Sequence, residues 1–289
     1  MNVEVAKGIG NAQSPSENPD QGMTLHIVVT VKQVPDPDVP PSSFRIDASG
    51  LRVVPALGVA QVINGYDEQA VEAALRIKEA VGDVDITVLS AGASFSMDVM
   101  KKPLAMGADQ MVLVQDGLLD SSIDSTLTVQ ALVAAIRRLG KVDLILAGRQ
   151  ASDWDNAQVP LGIAEALGIV AITVARRVEV ADATVRVERV LLDGYEVVEA
   201  SLPAVVTVSN ELGQARYPTF RGIMAAGKHT PTTWSLADLG LDSLEGGPSL
   251  KLVALAAPQQ TSECEMVTGE GDADAGRKLA LRLREVGLV

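Results

Sequence analysis

Five short apolar runs constrain this chain most: "LHIVVTV" (25–31), "DITVLSA" (85–91), "QMVLV" (110–114), "DLILAG" (143–148) and "PAVVTV" (203–208). Each has the length of a strand and little polar alternation, the pattern of strands buried on both faces. Amphipathic stretches lie between them. In "DEQAVEAALRIKEAV" Val71, Ala74, Leu75, Ile77 and Val81 share one helical face, and in "STLTVQALVAAIRRL" Val129, Leu132, Val133, Ile136 and Leu139 do the same. Buried strands alternating with helices predict an α/β fold, a doubly wound and mainly parallel sheet of Rossmann-like, nucleotide-binding type. In such sheets ligands sit beyond the carboxyl ends of the strands.

Three regions depart from that pattern. "VARRVEV" and "TVRVERVLL" alternate residue by residue and lead into "DGYEVVEASLPAVVTV", which predicts an antiparallel addition with Asp193-Gly194 as a turn. After about residue 210, Gly, Pro, Ser and Thr punctuate the chain, and only "DAGRKLALRLREVGL" reads as a clear last helix. Residues 211–289 are read as an extended C-terminal arm that needs a partner surface, the alternative being a helical extension folded back on its own core. Residues 1–22 lack hydrophobic patterning and read as a disordered tail, with Met23 equally able to be the start. The α/β domain is then 23–210.

With 47% hydrophobic residues among 289, the chain has ample material for a core, and its net charge of -13 opposes binding to a nucleic-acid backbone. One cysteine, Cys264, excludes an internal disulfide framework and points to a reducing, cytoplasmic setting. Two histidines, His26 and His229, leave little from which to build a zinc site or a catalytic triad. No segment has the length of a signal peptide core or a membrane span.

The stretch "LILAGRQASDWDNAQVPLG" (144–162) empties a buried strand into a polar loop. Gly148 permits close backbone approach, either Asp155 or Asn156 can cap the following helix, and free amides at that helix start offer an anion site. An ordinary strand-to-helix loop accounts for the same residues. In "INGYDEQAVEAAL" (63–75) either Asn64 or Asp67 can cap a helix, Gly65 frees the backbone, and Tyr66 either packs on a heterocycle or staples the helix entry. Lys32 closes the first strand and can meet an anion or stand solvated. "LSAGAS" (89–94) makes a turn of small residues. Neither GxGxxG after the first strand nor GxxxxGK[ST] is present, and no nucleophile, base or carboxylate pair stands out, so no catalytic residue is assigned and reactive chemistry is left to a bound cofactor.

Four segments in order, "VVTVKQVPD", "NGYDEQAVEAALRIKE", "GRQASDWDNAQV" and "LPAVVTVSNELGQARYPTFRGIM", resemble the beta subunit of electron transfer flavoproteins from about residue 25 onward. The resemblance implies a heterodimer with an alpha subunit that holds a redox-active FAD, and a beta-subunit pocket holding AMP or, in the electron-bifurcating branch, a second FAD reduced by NADH. The chain would then pass electrons between a dehydrogenase, such as an acyl-CoA dehydrogenase, and a downstream quinone reductase, ferredoxin or flavodoxin. Carried over by position, the pocket comprises Thr30, Asn64, Gly65, Tyr66, Asp67, Ala91, Gly148, Arg149, Gln150, Ala151, Ser152, Asp153, Trp154, Asp155, Asn156, Ala157, Gln158 and Val159. Phe220, within the segment Arg216 to Met224, takes the place of the anchor that docks on dehydrogenases, and the basic run that follows it in many members is reduced to "AAGK". Tyr66, Asp67, Ala157, Gln158 and Val159 lean towards the bifurcating branch; Trp154 and Asn156 stand where that branch carries glycine and threonine. The arm 211–289 would pack on the alpha subunit. A rival class is a stand-alone adenine-nucleotide sensor without flavin, for which such an arm has no use; an adenylate-forming or pyrophosphatase enzyme ranks last, since its phosphate loop is missing.

Overall fold

The computed structural model describes residues 24–119, 124–241, 250, 252–257 and 264–289. The tail 1–22 lies outside them. The chain opens with β1 (Leu25–Thr30), then four three-residue strands, β2 (Gln33–Pro35), β3 (Phe44–Ile46), β4 (Val53–Pro55) and β5 (Gln61–Ile63), before helix α1 (Gly65–Val81). Strand β6 (Val84–Gly92), short helices α2 (Met97–Met100) and α3 (Lys102–Met106), β7 (Gln110–Gln115), α4 (Thr126–Leu139), β8 (Leu144–Gly148) and α5 (Val159–Leu167) follow. The chain then forms β9 (Val170–Ala181), β10 (Thr184–Leu191), β11 (Gly194–Ser201), β12 (Ala204–Val208), α6 (Phe220–Lys228), β13 (Thr232–Trp234) and α7 (Asp272–Glu285).

All five apolar runs are strands of one nine-stranded sheet, ordered β11-β10-β9-β12-β8-β1-β6-β7-β13. Strand β1 pairs in parallel with β6 on one side and β8 on the other, Thr30 lying opposite Leu89 and Ala147. The chain thus winds outward through β6 and β7 and returns across β1 to β8, which makes the β1/β8 boundary the switch point where loops diverge and a ligand can enter. In this sheet β10 alone runs against the other strands, pairing antiparallel with β9 and β11. The β10–β11 turn falls on Leu192 and Asp193, one residue before the expected pair, with Leu191 opposite Gly194.

The strands separate two cores by the alternation of the pleat. Ile27, Val29, Leu144, Leu146, Ala204 and Val206 face the side covered by α1, while Val28, Ile145 and Val205 face the side of α4 and α5. Ile27, Val28 and Val29 are fully buried, which is why the run lacks polar alternation; each such side chain contributes about 1.5–3 kcal/mol. Across β9, β10 and β11 the exposed surface is a ladder of opposite charges: Arg176 meets Glu188, Arg186 meets Glu179 and Arg189 meets Glu196, and the Arg176 guanidinium lies 4.1 Å from the Tyr195 ring centre.

Sequence patterning gives no helix at 220–228, yet α6 forms there. Thr219 caps it by accepting the Gly222 N–H at 3.0 Å. Gly222 packs so closely on α3 that a Cβ would stand 2.2 Å from the Ala105 carbonyl oxygen. A residue with low helix propensity is therefore required by tertiary contact. Strand β13 pairs with β7, so part of 211–241 completes the main sheet.

The chain divides into two compact units, one of residues up to 45 and 53–253, the other of 46–52 and 254–289. In the second, α7 buries no residue; Asp274 accepts the Glu270 N–H near its start and pairs with Arg277 and Lys278. Among the described residues no helix is long and apolar enough to cross a membrane.

Candidate functional site

The loops beyond β1 and β8 converge on the first turn of α1. Asp67, 6% exposed, accepts the Lys32 N–H through Oδ2 at 2.7 Å and the Gly148 N–H through Oδ1 at 3.0 Å. One carboxylate thereby ties the exits of both strands at the switch point. Burial pushes this carboxyl up to about 7, against the two N–H groups, the Asn64 side chain and the Lys32 charge, all of which favour the ionised form.

Asn64 occupies the cap position of α1 but makes no side-chain cap bond. Its amide, 1% exposed, instead reaches the opposite loop: Nδ2 donates to the Gln150 carbonyl at 2.8 Å, and Oδ1 accepts the Ser152 N–H at 3.3 Å. The two cap candidates read from sequence are thus cross-braces to distant chain. Gly148 is required for the same reason, since a Cβ there would sit 2.3 Å from Asp67 Oδ1 and 2.7 Å from Tyr66 Cβ. Its close approach is to α1 itself. Gly65, by contrast, faces open space.

Around this junction the loop is pinned by charge. Lys32 Nζ pairs with Asp153 at 2.7 and 2.8 Å, so the anion it meets is supplied by the chain. The Arg149 guanidinium lies 5.5 Å from the Tyr66 ring centre and its Nε donates to Gln150 Oε1, while Gln150 Nε2 donates to Asp155 Oδ1 at 2.9 Å. The cap position of α5 falls on neither Asp155 nor Asn156: that helix begins at Val159 with Gln158 in the cap position, whose side chain makes no cap bond. The expected caps fall two or three residues early, and Gln158 accepts the Ser125 hydroxyl instead. Ala151 accepts the Asp155 N–H, and Trp154 is half-buried between the two aspartates. Thr30 ends β1 and is buried; Ala91, near the end of β6, packs against the core beneath α4.

Beside the loop lies an open cleft of about 250 Å³ lined by Arg149, Gln150, Ala157 and Leu161 on one side and Thr173, Val174 and Thr207 on the other. The last three and Leu161 have no signature in the sequence beyond Thr207, a lone hydroxyl inside an apolar run. Val174 takes φ 62°, a costly value for a β-branched residue, and Asp155 and Ala157 take φ 50° and 52°. Val174 is held by its N–H, which donates to Thr207 Oγ1 at 2.9 Å, at an irregularity in the β9–β12 pairing. Two of the four non-glycine residues of positive φ among the described residues, Ala157 and Val174, thus line the cleft, and a third, Asp155, is bonded to Gln150 on its wall, the kind of place where backbone strain is retained for function. A guanidinium and two hydroxyls facing apolar Leu161, Val174 and Ala157 make a donor set suited to a phosphorylated ring compound.

Phe220 lies at the first turn of α6, which contributes no residue to the cleft, and is 81% exposed. Ile223 and Met224 are exposed with it at the spacing of one helical face, and Tyr217 is exposed in the chain just before the helix, while Gly222 and Ala226 face inward.

The electron transfer flavoprotein domain matches residues 53–239. The chain is 39% identical over 248 residues to the electron transfer flavoprotein subunit beta of Megasphaera elsdenii, covering 82% of this chain and 89% of that one. It is 33% identical over 269 residues to the caffeyl-CoA reductase-Etf complex subunit CarD of Acetobacterium woodii, covering 92% and 100%. The subunit beta of Mycobacterium tuberculosis is 35% identical over 255 residues, covering 86% and 94%.

Proposed function

Since this chain belongs to the beta-subunit family of electron transfer flavoproteins, we propose that it forms a heterodimer with an alpha subunit and passes electrons between a dehydrogenase and a downstream acceptor. In that assembly FAD supplies the redox chemistry. The residues of this chain bind, orient and present. Arg149, Thr173 and Thr207 hold the phosphate and ribose of an adenine nucleotide in the cleft, Leu161 and Val174 give its base an apolar wall, and the Asp67 and Asn64 braces keep the 148–158 loop in place around it.

The observation that carries this reading is the junction at Asp67, which gathers β1, α1 and the β8 loop at the sheet's switch point beside a strained, donor-lined cleft. Two occupants compete. The motif residues Tyr66, Asp67, Ala157, Gln158 and Val159 favour a second FAD, and with it bifurcation from NADH to a ferredoxin or flavodoxin. The cleft favours AMP, since about 250 Å³ lies below the roughly 300–1,000 Å³ of common small-molecule sites, and Trp154 narrows the loop where glycine would leave room.

The exposed face of α6, with Phe220 at its centre, is the docking surface for a dehydrogenase such as an acyl-CoA dehydrogenase, since an exposed aromatic flanked by apolar neighbours makes a strong binding anchor. The 254–289 region and α7, which buries nothing within this chain, pack on the alpha subunit. Nucleotide extraction from the heterodimer purified from its native source, followed by chromatography, tests the whole. One AMP with one FAD supports the carrier, and two FAD support the bifurcating form. A colourless chain without an alpha-like partner overturns both in favour of a stand-alone nucleotide sensor.

A further inference from the structure

Helix α1 carries a second polar stripe, along Gln69, Glu72, Arg76 and Glu79, and all four residues engage the chain that leads into α6. Gln69 Nε2 donates to the Gly213 carbonyl at 3.3 Å and Arg76 Nη1 to the Leu212 carbonyl at 3.1 Å. Arg216 closes on the rest. Its backbone N–H and Nε donate to Glu72 Oε2 at 3.2 and 2.7 Å, its Nη2 reaches Glu72 Oε1 and Glu79 Oε2 at 3.2 Å each, and its Nη1 pairs with Glu79 Oε1. The charges balance two against two, with Arg76 Nε on Glu72 Oε1 at 2.8 Å. Pairing with both carboxylates raises the Arg216 pKa and holds Glu72 and Glu79 below the usual range.

A planar fork that engages two carboxylates one above the other on a helix defines direction as well as distance, which a lysine cannot do. Arg216 stands one residue before Tyr217 and four before Phe220, so the fork fixes the chain at the point where the exposed face of α6 begins. The far side of α6 is held separately, by Gly222 against Ala105 and by Lys101 Nζ on the Gly227 carbonyl at 3.0 Å. We infer that Arg216 is a positioning residue: closed on Glu72 and Glu79, it sets the orientation in which the Tyr217–Phe220–Ile223–Met224 face is presented to a partner, on the same helix whose first turn braces the nucleotide loop. The inference rests on the reading of that face as a docking surface. Arg76 also pairs with Glu72, so this buried carboxylate keeps a partner when the fork is removed.

Hydrogen–deuterium exchange of the assembled heterodimer tests it, with Arg216→Gln, Arg216→Lys and the exposed-site variant Glu79→Gln. Amides of 213–219 exchange about tenfold faster in Arg216→Gln and by an intermediate factor in the other two, while α1, β8 and nucleotide content stay as in the wild type. Unchanged exchange at 213–219 overturns the proposal, as does an increase shared with α1 and β8, or full rescue by lysine. Failure of the docking reading looks different: Phe220→Ala then leaves electron transfer unaltered, whatever the exchange at 213–219.

Discussion

Asp67 accepts the backbone N–H of Gly148 across 81 positions of sequence, joining the first turn of α1 to the last residue of β8 at 3.0 Å. The bond sits between two strands whose loops diverge, next to Arg149 and Gln150 at the edge of the open cleft.

The raised pKa of Asp67 predicts a pH dependence with a definite sign. Folding raises the carboxyl from 3.8 to about 7, so between these values the folded state binds more protons than the unfolded one. Its contribution to stability is fully present below 3.8 and is lost as pH rises through about 7. From pH 5.5 to 7 the loss is about 1–2 kcal/mol. Asp67→Asn cannot titrate, so denaturation midpoints of that variant fall less over this window than those of the wild type; parallel curves refute the assignment.

Gly148→Ala forces a methyl group into Asp67 Oδ1 and the Tyr66 backbone and destabilises the chain by about 1–3 kcal/mol. Gly65→Ala, two residues before Asp67 but in open space, changes stability by no more than about 0.5 kcal/mol. Urea denaturation of the pair checks both, and similar costs at the two sites would mean that Gly148 is not packed as described.

Removing the Asn64 amide leaves the Gln150 carbonyl and Ser152 N–H without their partner. Asn64→Ala therefore costs about 1–3 kcal/mol. It also speeds loss of nucleotide from the purified heterodimer, measured by release after dilution. Retention equal to wild type would separate the brace from ligand binding.

Phe220→Ala removes exposed surface alone, so heterodimer assembly, flavin content and melting temperature stay unchanged while electron transfer with the dehydrogenase slows by about tenfold or more. Gly222→Ala slows transfer by another route, lifting α6 from the Ala105 carbonyl and lowering the melting temperature as well. Stopped-flow flavin reduction beside calorimetry distinguishes them; loss of assembly in Phe220→Ala would make the segment a subunit contact.

The central strands were legible because residues such as Val28 and Ile145 are buried on both faces and leave continuous apolar runs. The junction of β1, α1 and β8 was legible because Gly148, Asn64 and Asp67 punctuate strand and helix ends. Their roles were not, since capping is a local inference whereas Asp67 bonds to Lys32 and Gly148, 35 and 81 positions away. Asp155 and Asn156 misled for the same reason, their loop being braced by Gln150 and Asn64 rather than by the start of α5. Helix α6 was hidden by Gly222 and Gly227, whose poor propensity is outweighed by the packing of Gly222 on α3 and the Lys101 bond to the Gly227 carbonyl. Val174 was invisible because nothing in a valine announces a left-handed backbone.

The charge ladder across β9, β10 and β11 bears on what this chain does before it meets a partner. Strand β11 is the outer edge of the sheet, a row of free backbone donors and acceptors that invites a second strand. Glu196 and Glu199 stand along that edge paired with Arg189 and Arg186, so any like-charge opposition between two copies comes from the chain's net charge of -13. Net charge and a border of cross-strand ion pairs are two of the devices by which an edge strand resists pairing with a second copy.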